Sequence, residues 1–402
     1  MSKEEVYTCI FGGGAVRGFA YVGAIKALHE LKIKYDTLVG SSVGAILAAF
    51  VAVGYSYDEI KEILIKVNFE LFRDIHLSLG KDFALSKGEI FTQWVRENIE
   101  KKFYGKNYKK GKNKPVTFAN LEKNLLIYTT DLNKFKCKEF SKQETPDFEI
   151  AEAIRISCSM PGLMTPVEIN GKKLVDGDLL KSIPLWKLSN NLKLGVNRIL
   201  EFRLEGEYEK VDNNAIDFFN AIYSCMTSAA TDHIICCYGN RDDYDYIKLN
   251  TGNVIILDFN MSEDMRNNLI DLGYKQSMHY FTTTLVKKKH KLIGHYELIF
   301  KILMSMLDFV KADSISQARL LLGELYILLA DIKDVLSVSV YNRMKVFKDE
   351  FLESSKGRSW FGRPKFKDKR KLIKILTRLI FEVNSRINKL NLALDKIELL
   401  KP

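Results

Sequence analysis

Apolar positions along the chain follow two different periods. Val6 to Phe11 reads as a short buried strand, and Phe19 to Leu31 then repeats apolar residues at helical spacing. Leu38-Val39 ends a second apolar run, after which Ala45 to Phe50 consists of strong helix formers. Strand-like runs return at Leu125 to Thr130, Arg198 to Arg203 and Val254 to Leu257, with helical stretches between them. Such alternation predicts an α/β fold with a central, mostly parallel sheet covered on both faces. Tyr57 to Val67 and Lys87 to Lys102 predict two more helices, the second opened by a capping box at Ser86 to Glu89. Leu71 to Phe83, between them, reads as a loop.

The pattern changes after Lys287-Lys288-Lys289-His290. From Leu292 to Pro402 the chain reads as helical. Leu372, Leu376, Leu379, Val383, Ile387, Leu390, Leu394 and Ile397 recur at spacings of three and four, which makes one apolar helix face. Two or three earlier helices between Leu292 and Leu352 are expected to pack against it, giving an α-helical C-terminal bundle. The same face would otherwise serve a homodimer or a protein partner. Two domains are therefore expected, residues 1–290 and 291–402.

Composition adds bounds. The 402 residues are 47% hydrophobic and 28% charged, which describes a folded chain. No apolar run approaches the roughly 20 residues of a membrane span, and Met1 to Glu5 is too polar to begin a secretory signal, so a cytoplasmic protein is expected. Six cysteines show no metal-ligand spacing and read as buried reduced thiols. No metal or other cofactor is called for. The formal net charge of +11 is uneven: Lys101 to Lys114 holds seven lysines and no acid, interleaved with Phe103, Tyr104 and Tyr108. Ser354 to Arg370 likewise sets Trp360 and Phe361 beside Arg358, Arg363, Lys365, Lys367 and Lys369. Each basic residue near an anionic bilayer contributes about 1 kcal/mol, so peripheral contact with a membrane surface is expected. Nucleic acid is the weaker reading, because no nucleic-acid module is recognisable.

The chemistry centres on Gly40-Ser41-Ser42-Val43-Gly44. Glycines on either side of a serine, between a strand and a helix, allow the sharp turn that lifts the Ser42 hydroxyl to a helix N-terminus. Upstream, Gly12-Gly13-Gly14-Ala15-Val16-Arg17-Gly18 joins a strand to a helix and offers backbone N–H groups to an oxyanion or phosphate. A dinucleotide fingerprint fails there, since Ala15 replaces its middle glycine. Downstream, Asp176-Gly177-Asp178 supplies a carboxylate able to accept the serine's proton.

These three motifs resemble the patatin-like phospholipase family over roughly the first 290 residues. The resemblance implies a three-layer α/β/α fold with Ser42 as nucleophile and Asp176 as general base of a Ser–Asp dyad. It further implies an oxyanion hole from Gly13, Gly14 and Ala15, with Arg17 as the motif's basic residue and Gly12, Gly18, Gly40, Gly44 and Gly177 supporting the motifs. Arg155 to Pro166 resembles the family's segment before the base, and Asn260 to Tyr274 its closing helix. The region from 55 to 115 would act as a lid or acyl-chain channel, with ordinary helical packing as the alternative. Ala15 and Asp178 depart from the family pattern, and a second carboxylate beside the base would raise the pKa of one of the two acids. The implied activity is hydrolysis of phospholipid or lysophospholipid esters through an acyl-enzyme. A catalytically weak member that binds membranes or partners through its helices is the alternative. His233 and His279 are the candidates for a Ser-His-Asp triad instead.

Overall fold

The computed structural model describes residues 6–72, 75–78, 84–180, 197–206, 221, 225, 232–239, 241–357 and 364–398. They form two compact units, residues 5–236 with 245–279, and 237–244 with 280–402.

The first unit is built on one mixed sheet. Its order is β11 (Tyr244–Asn250), β10 (Asn197–Glu205), β1 (Val6–Phe11), β2 (Tyr35–Gly40), β5 (Asn124–Asp131), β9 (Lys172–Val175) and β8 (Val167–Ile169), with β6 (Lys136–Ser141) also paired to β5. The pairs β10–β1, β1–β2 and β2–β5 are parallel, whereas β6 and β9 run antiparallel to β5. Near-continuous burial along β1 and β5 is what strands covered on both faces require. The parallel centre places β1 and β2 side by side, so the turns leaving their C-terminal ends are neighbours.

Helices α1 (Phe19–Glu30) and α2 (Val43–Ala52) follow those turns. Every residue from Gly44 to Ala52 is buried, so α2 is an interior element. Helix α6 (Glu263–His279) packs on α1 backbone to backbone: a Cβ on Gly23 would lie 1.9 Å from the Ile270 carbonyl oxygen. The expected helices at 57 and 87 are α3 (Tyr57–Lys66) and α4 (Glu89–Tyr104), and α5 (Ile150–Ser157) precedes the Asp176 segment.

Three local expectations are corrected. The capping box lies at Ser56–Glu59, where each side chain accepts the other residue's N–H. At the start of α4 the N-cap is Gly88, with φ of 70°, and Ser86 Oγ instead accepts the Gly88 N–H at 2.9 Å. Arg155 packs against that cap, where its Nε would stand 2.3 Å from a Gly88 Cβ. Within Leu71 to Phe83, residues 75–78 form strand β3, which pairs with β4 (Ala84–Ser86); β4 in turn runs parallel to β7 (Gly162–Met164). Residues 73–74 and 79–83 lie outside the described residues. Val254 to Leu257 is not a strand; the sheet edge is β11, and the Val254 and Ile256 carbonyls bond Arg17 Nε and the Val16 N–H.

The second unit contains α7 (Leu285–Lys311), α8 (Ile315–Ile332), α9 (Val338–Ser354) and α10 (Lys369–Glu398). The apolar face read along α10 is buried in the unit's own core, with Tyr296, Leu303, Leu325, Met344 and Phe351 among its neighbours. Lys287 to His290 falls inside α7. Asp242, fully buried, accepts hydrogen bonds from Tyr296 Oη at 2.8 Å and Arg386 Nε at 2.5 Å, which ties residues 237–244 to the helices. Of the aromatic-cationic segment, Arg358, Trp360, Phe361 and Arg363 lie outside the described residues, while Phe366 is buried in the core. The expected burial of the cysteines holds for Cys9, whereas Cys225, Cys236 and Cys237 are exposed. No helix among the described residues is long and apolar enough to cross a membrane.

Candidate active site

Strand β2 ends at Gly40, and α2 begins three residues later at Val43. Between them Ser42 adopts φ 52° and ψ −130°, a conformation that costs a non-glycine residue about 1–3 kcal/mol. Surrounding contacts impose it. The Ser41 N–H donates to the Phe11 carbonyl at 3.1 Å, and the Gly44 and Ala45 N–H groups close the first turn on the Ser41 and Ser42 carbonyls at 2.9 Å. Any side chain at Gly44 would meet the Phe11 carbonyl oxygen at 2.1 Å, so strand and helix can approach only with glycine there. Gly40 and Gly18 sit equally close, against Ala45 and Val43. The half-buried Ser42 hydroxyl makes no hydrogen bond to any described residue and sits at the positive end of α2.

Asp176 follows β9 and is 2% exposed. Its N–H donates to the Ser159 carbonyl at 2.9 Å, and the Gly177 N–H donates to the Ser157 carbonyl at 3.2 Å. Ser157 also bonds the elbow: its Oγ accepts the Ser42 N–H at 2.9 Å and donates to the Tyr128 carbonyl at 2.7 Å. A Cβ on Gly177 would lie 3.2 Å from Ser41 Cβ and 2.0 Å from the Tyr128 oxygen. The Asp176-Gly177 turn therefore lies against the serine turn, and no hydrogen bond joins the Ser42 and Asp176 side chains. Burial, reinforced by the Asp176 charge, pushes the neighbouring Cys158 thiol well up, which keeps it protonated. His233 and His279 are both solvent-exposed and neither bonds Ser42.

The glycine loop supplies the third wall. Within it, the Gly12 N–H donates to the Phe202 carbonyl at 3.3 Å, the Val16 N–H to Ile256 at 3.3 Å and the Arg17 N–H to Gly14 at 3.1 Å. The Gly13 N–H is already donated to Asp178 Oδ1 at 3.0 Å. Gly14 and Ala15, with φ of 149° and 46°, carry N–H groups that have no acceptor among the described residues. Of the three expected oxyanion donors, two are thus uncommitted. Arg17 is 4% exposed and braces the loop, with Nε 2.7 Å from the Val254 carbonyl oxygen.

Asp178, the departure beside the base, is held by Arg203 Nη1 at 3.1 Å, and Arg203 Nε pairs with Glu201. All three side chains are at most 3% exposed. The two acids are also joined directly, since Asp176 Oδ1 accepts the Asp178 N–H at 2.7 Å. Sequence reasoning missed Ser157, Arg203 and the bracing carbonyls of 254–256. Ser157 left a trace as part of the Arg155 to Pro166 segment, and Arg203 as a cation two residues after Glu201 inside a strand.

The family model described as Patatin-like phospholipase matches residues 9–188. Among curated proteins, the uncharacterized protein R571 of Acanthamoeba polyphaga mimivirus is 34% identical over 199 residues, 48% of this chain and 64% of that protein. The probable lipid hydrolase 463L of Invertebrate iridescent virus 6 is 30% identical over 188 residues, 46% of this chain and 63% of its own length. Both matches therefore span less than two thirds of those relatives. The crystal structure of VipD from Legionella pneumophila has a TM-score of 0.50 at 17% identity, covering 97% of this chain and 91% of that one, which is a likeness of fold. The nucleophile elbow, the glycine loop and the Asp-Gly turn all lie inside residues 9–188, the stretch that matches the patatin-like phospholipase family model.

Proposed function

We propose that the chain is a serine acyl hydrolase that cleaves fatty-acyl esters of phospholipids or lysophospholipids, with Ser42 as nucleophile and Asp176 as general base. The observation that carries this reading is the strained Ser42 elbow packed against the Asp176-Gly177 turn through Ser157. In the reaction, Asp176 takes the Ser42 proton as Oγ attacks the ester carbonyl. The carbonyl oxygen, now negative, accepts the Gly14 and Ala15 N–H groups. Collapse breaks the acyl C–O bond and returns the proton to the departing alkoxide, leaving an acyl-enzyme that water, deprotonated by Asp176, hydrolyses. The relative named a probable lipid hydrolase supports the lipid class.

Fatty-acid release from phosphatidylcholine and lysophosphatidylcholine vesicles tests the dyad. Asp176→Asn is expected to lower turnover about 10²- to 10⁴-fold, the usual worth of a general base, while the protein stays folded. Equal rates for the variant and the parent chain would remove Asp176 from the mechanism.

Membrane contact is proposed for the lysine segment. Lys106, Lys109, Lys112 and Lys114 are exposed, whereas Lys110 pairs with Glu97 at 2.7 Å. Tyr104 Oη, bonded to the Lys114 carbonyl at 3.0 Å, holds the segment's two ends together. Replacing those four exposed lysines by glutamine is expected to weaken binding to anionic vesicles by up to about 4 kcal/mol at low salt, at about 1 kcal/mol each. Unchanged sedimentation with the vesicles would place the contact elsewhere.

A further inference from the structure

The glycine loop rests on a buried ion pair. A Cβ on Gly12 would stand 2.6 Å from Arg203 Nη1, and one on Gly13 would stand 2.7 Å from Asp178 Cβ and Cγ. The Asp178–Arg203 pair is therefore the floor on which the first two loop residues lie. Asp178 Oδ1 alone collects three donors: the Gly13 N–H at 3.0 Å, the Ser41 hydroxyl at 3.2 Å and Arg203 Nη1 at 3.1 Å. Those donors come from three separate elements, namely the loop after β1, the residue before the nucleophile, and β10. One carboxylate oxygen thereby fixes the distance between the loop and the serine turn. The Asp178 N–H, bonded to Asp176 Oδ1 at 2.7 Å, joins the same residue to the proposed base.

We infer that Asp178 is a positioning residue for acyl transfer, one that directs the Gly13 N–H away from the reacting centre and sets the Gly14 and Ala15 donors at their spacing from Ser42. The inference rests on the Ser42–Asp176 reading above. Oxyanion donors work only about 2.7–3.1 Å from the developing charge, and a displacement of about 1 Å can cost about 10²-fold in rate. A group that only holds this spacing acts on the transition state, so its loss lowers kcat and leaves KM in place.

The test uses the full chain with a p-nitrophenyl acyl ester as substrate and a fluorophosphonate as a covalent probe of Ser42. Asp178→Asn keeps an acceptor oxygen for Gly13 and Ser41, and is expected to retain kcat within about 10-fold. Asp178→Leu keeps bulk but no acceptor, and is expected to lower kcat about 10²-fold or more, with KM within about threefold and probe labelling slowed in parallel. Ser41→Ala removes one donor without touching the ion pair and is expected to lower kcat about 10-fold. A folded Asp178→Leu protein with parental kcat and labelling overturns the inference. Should that variant fail to fold, parental kcat and labelling in Ser41→Ala overturn it instead. A parent chain whose hydrolysis and labelling are unaffected by Ser42→Ala would sink the underlying serine mechanism, a distinct result.

Discussion

Replacing Ser42 by glycine is expected to abolish ester hydrolysis and to stabilise the fold at the same time. The loss of the nucleophile should lower turnover about 10⁴-fold or more. Stability should move the other way, because the residue sits at φ 52° and ψ −130°, where glycine is unstrained. Relief of about 1–3 kcal/mol is set against roughly 0.5–1 kcal/mol of extra chain entropy for glycine in the unfolded state. No side-chain hydrogen bond is given up, since the Ser42 hydroxyl bonds no described residue. The net gain of about 1 kcal/mol corresponds to a melting temperature about 2–4 °C higher. Fatty-acid release and a thermal melt on one preparation check both halves. Retained turnover would exclude Ser42 as nucleophile, and a clearly lower melting point would show that the elbow stores no strain.

Arg203→Met should be among the most destabilising single changes in the first unit. The methionine fills much of the arginine's volume but leaves Asp178 and Glu201 without their shared cation, at 3% and 1% side-chain exposure. Breaking a buried pair from one side costs about 3–5 kcal/mol. Urea denaturation, followed by a probe in the first unit, is expected to show an unfolding free energy lowered by that amount, read as an earlier midpoint at unchanged slope. A change below about 1 kcal/mol would mean that water reaches the carboxylates and that the floor of the glycine loop is not dry.

The elements read most clearly from sequence are those whose information is local. Val6–Phe11, Phe19–Glu30 and the turn into Val43 announce themselves through continuous apolar runs, helix formers and paired glycines, and they form the elements expected. The apolar face along α10 was equally plain, because eight leucine, isoleucine and valine positions fall on one side of it. What stayed hidden depends on distant partners. Val254 to Leu257 has strand-forming residues, yet its carbonyls serve Arg17 and Val16 and the edge of the sheet is β11. Ser86 and Glu89 have capping-box chemistry, yet Arg155 occupies the corner. At the site, the Ser42 and Asp176 motifs could be picked out, but the diversion of the Gly13 N–H to Asp178 could not, because it requires β10 to bring Arg203 beneath the loop.

The brace supplied by residues 254–256 bears on how this catalytic unit can be shortened or recombined. Strand β1 pairs with β10 along its whole length, from Val6 with Asn197 to Phe11 with Phe202, and Arg17 reaches forward to Val254. A fragment ending at residue 188 would carry every motif of the matched stretch, yet β1 would become a raw sheet margin, Asp178 beneath the glycine turn would lose Arg203, and the turn would lose its outer stay. Transplanting the active centre into another scaffold therefore means moving the later strand and the 254–256 carbonyls along with it.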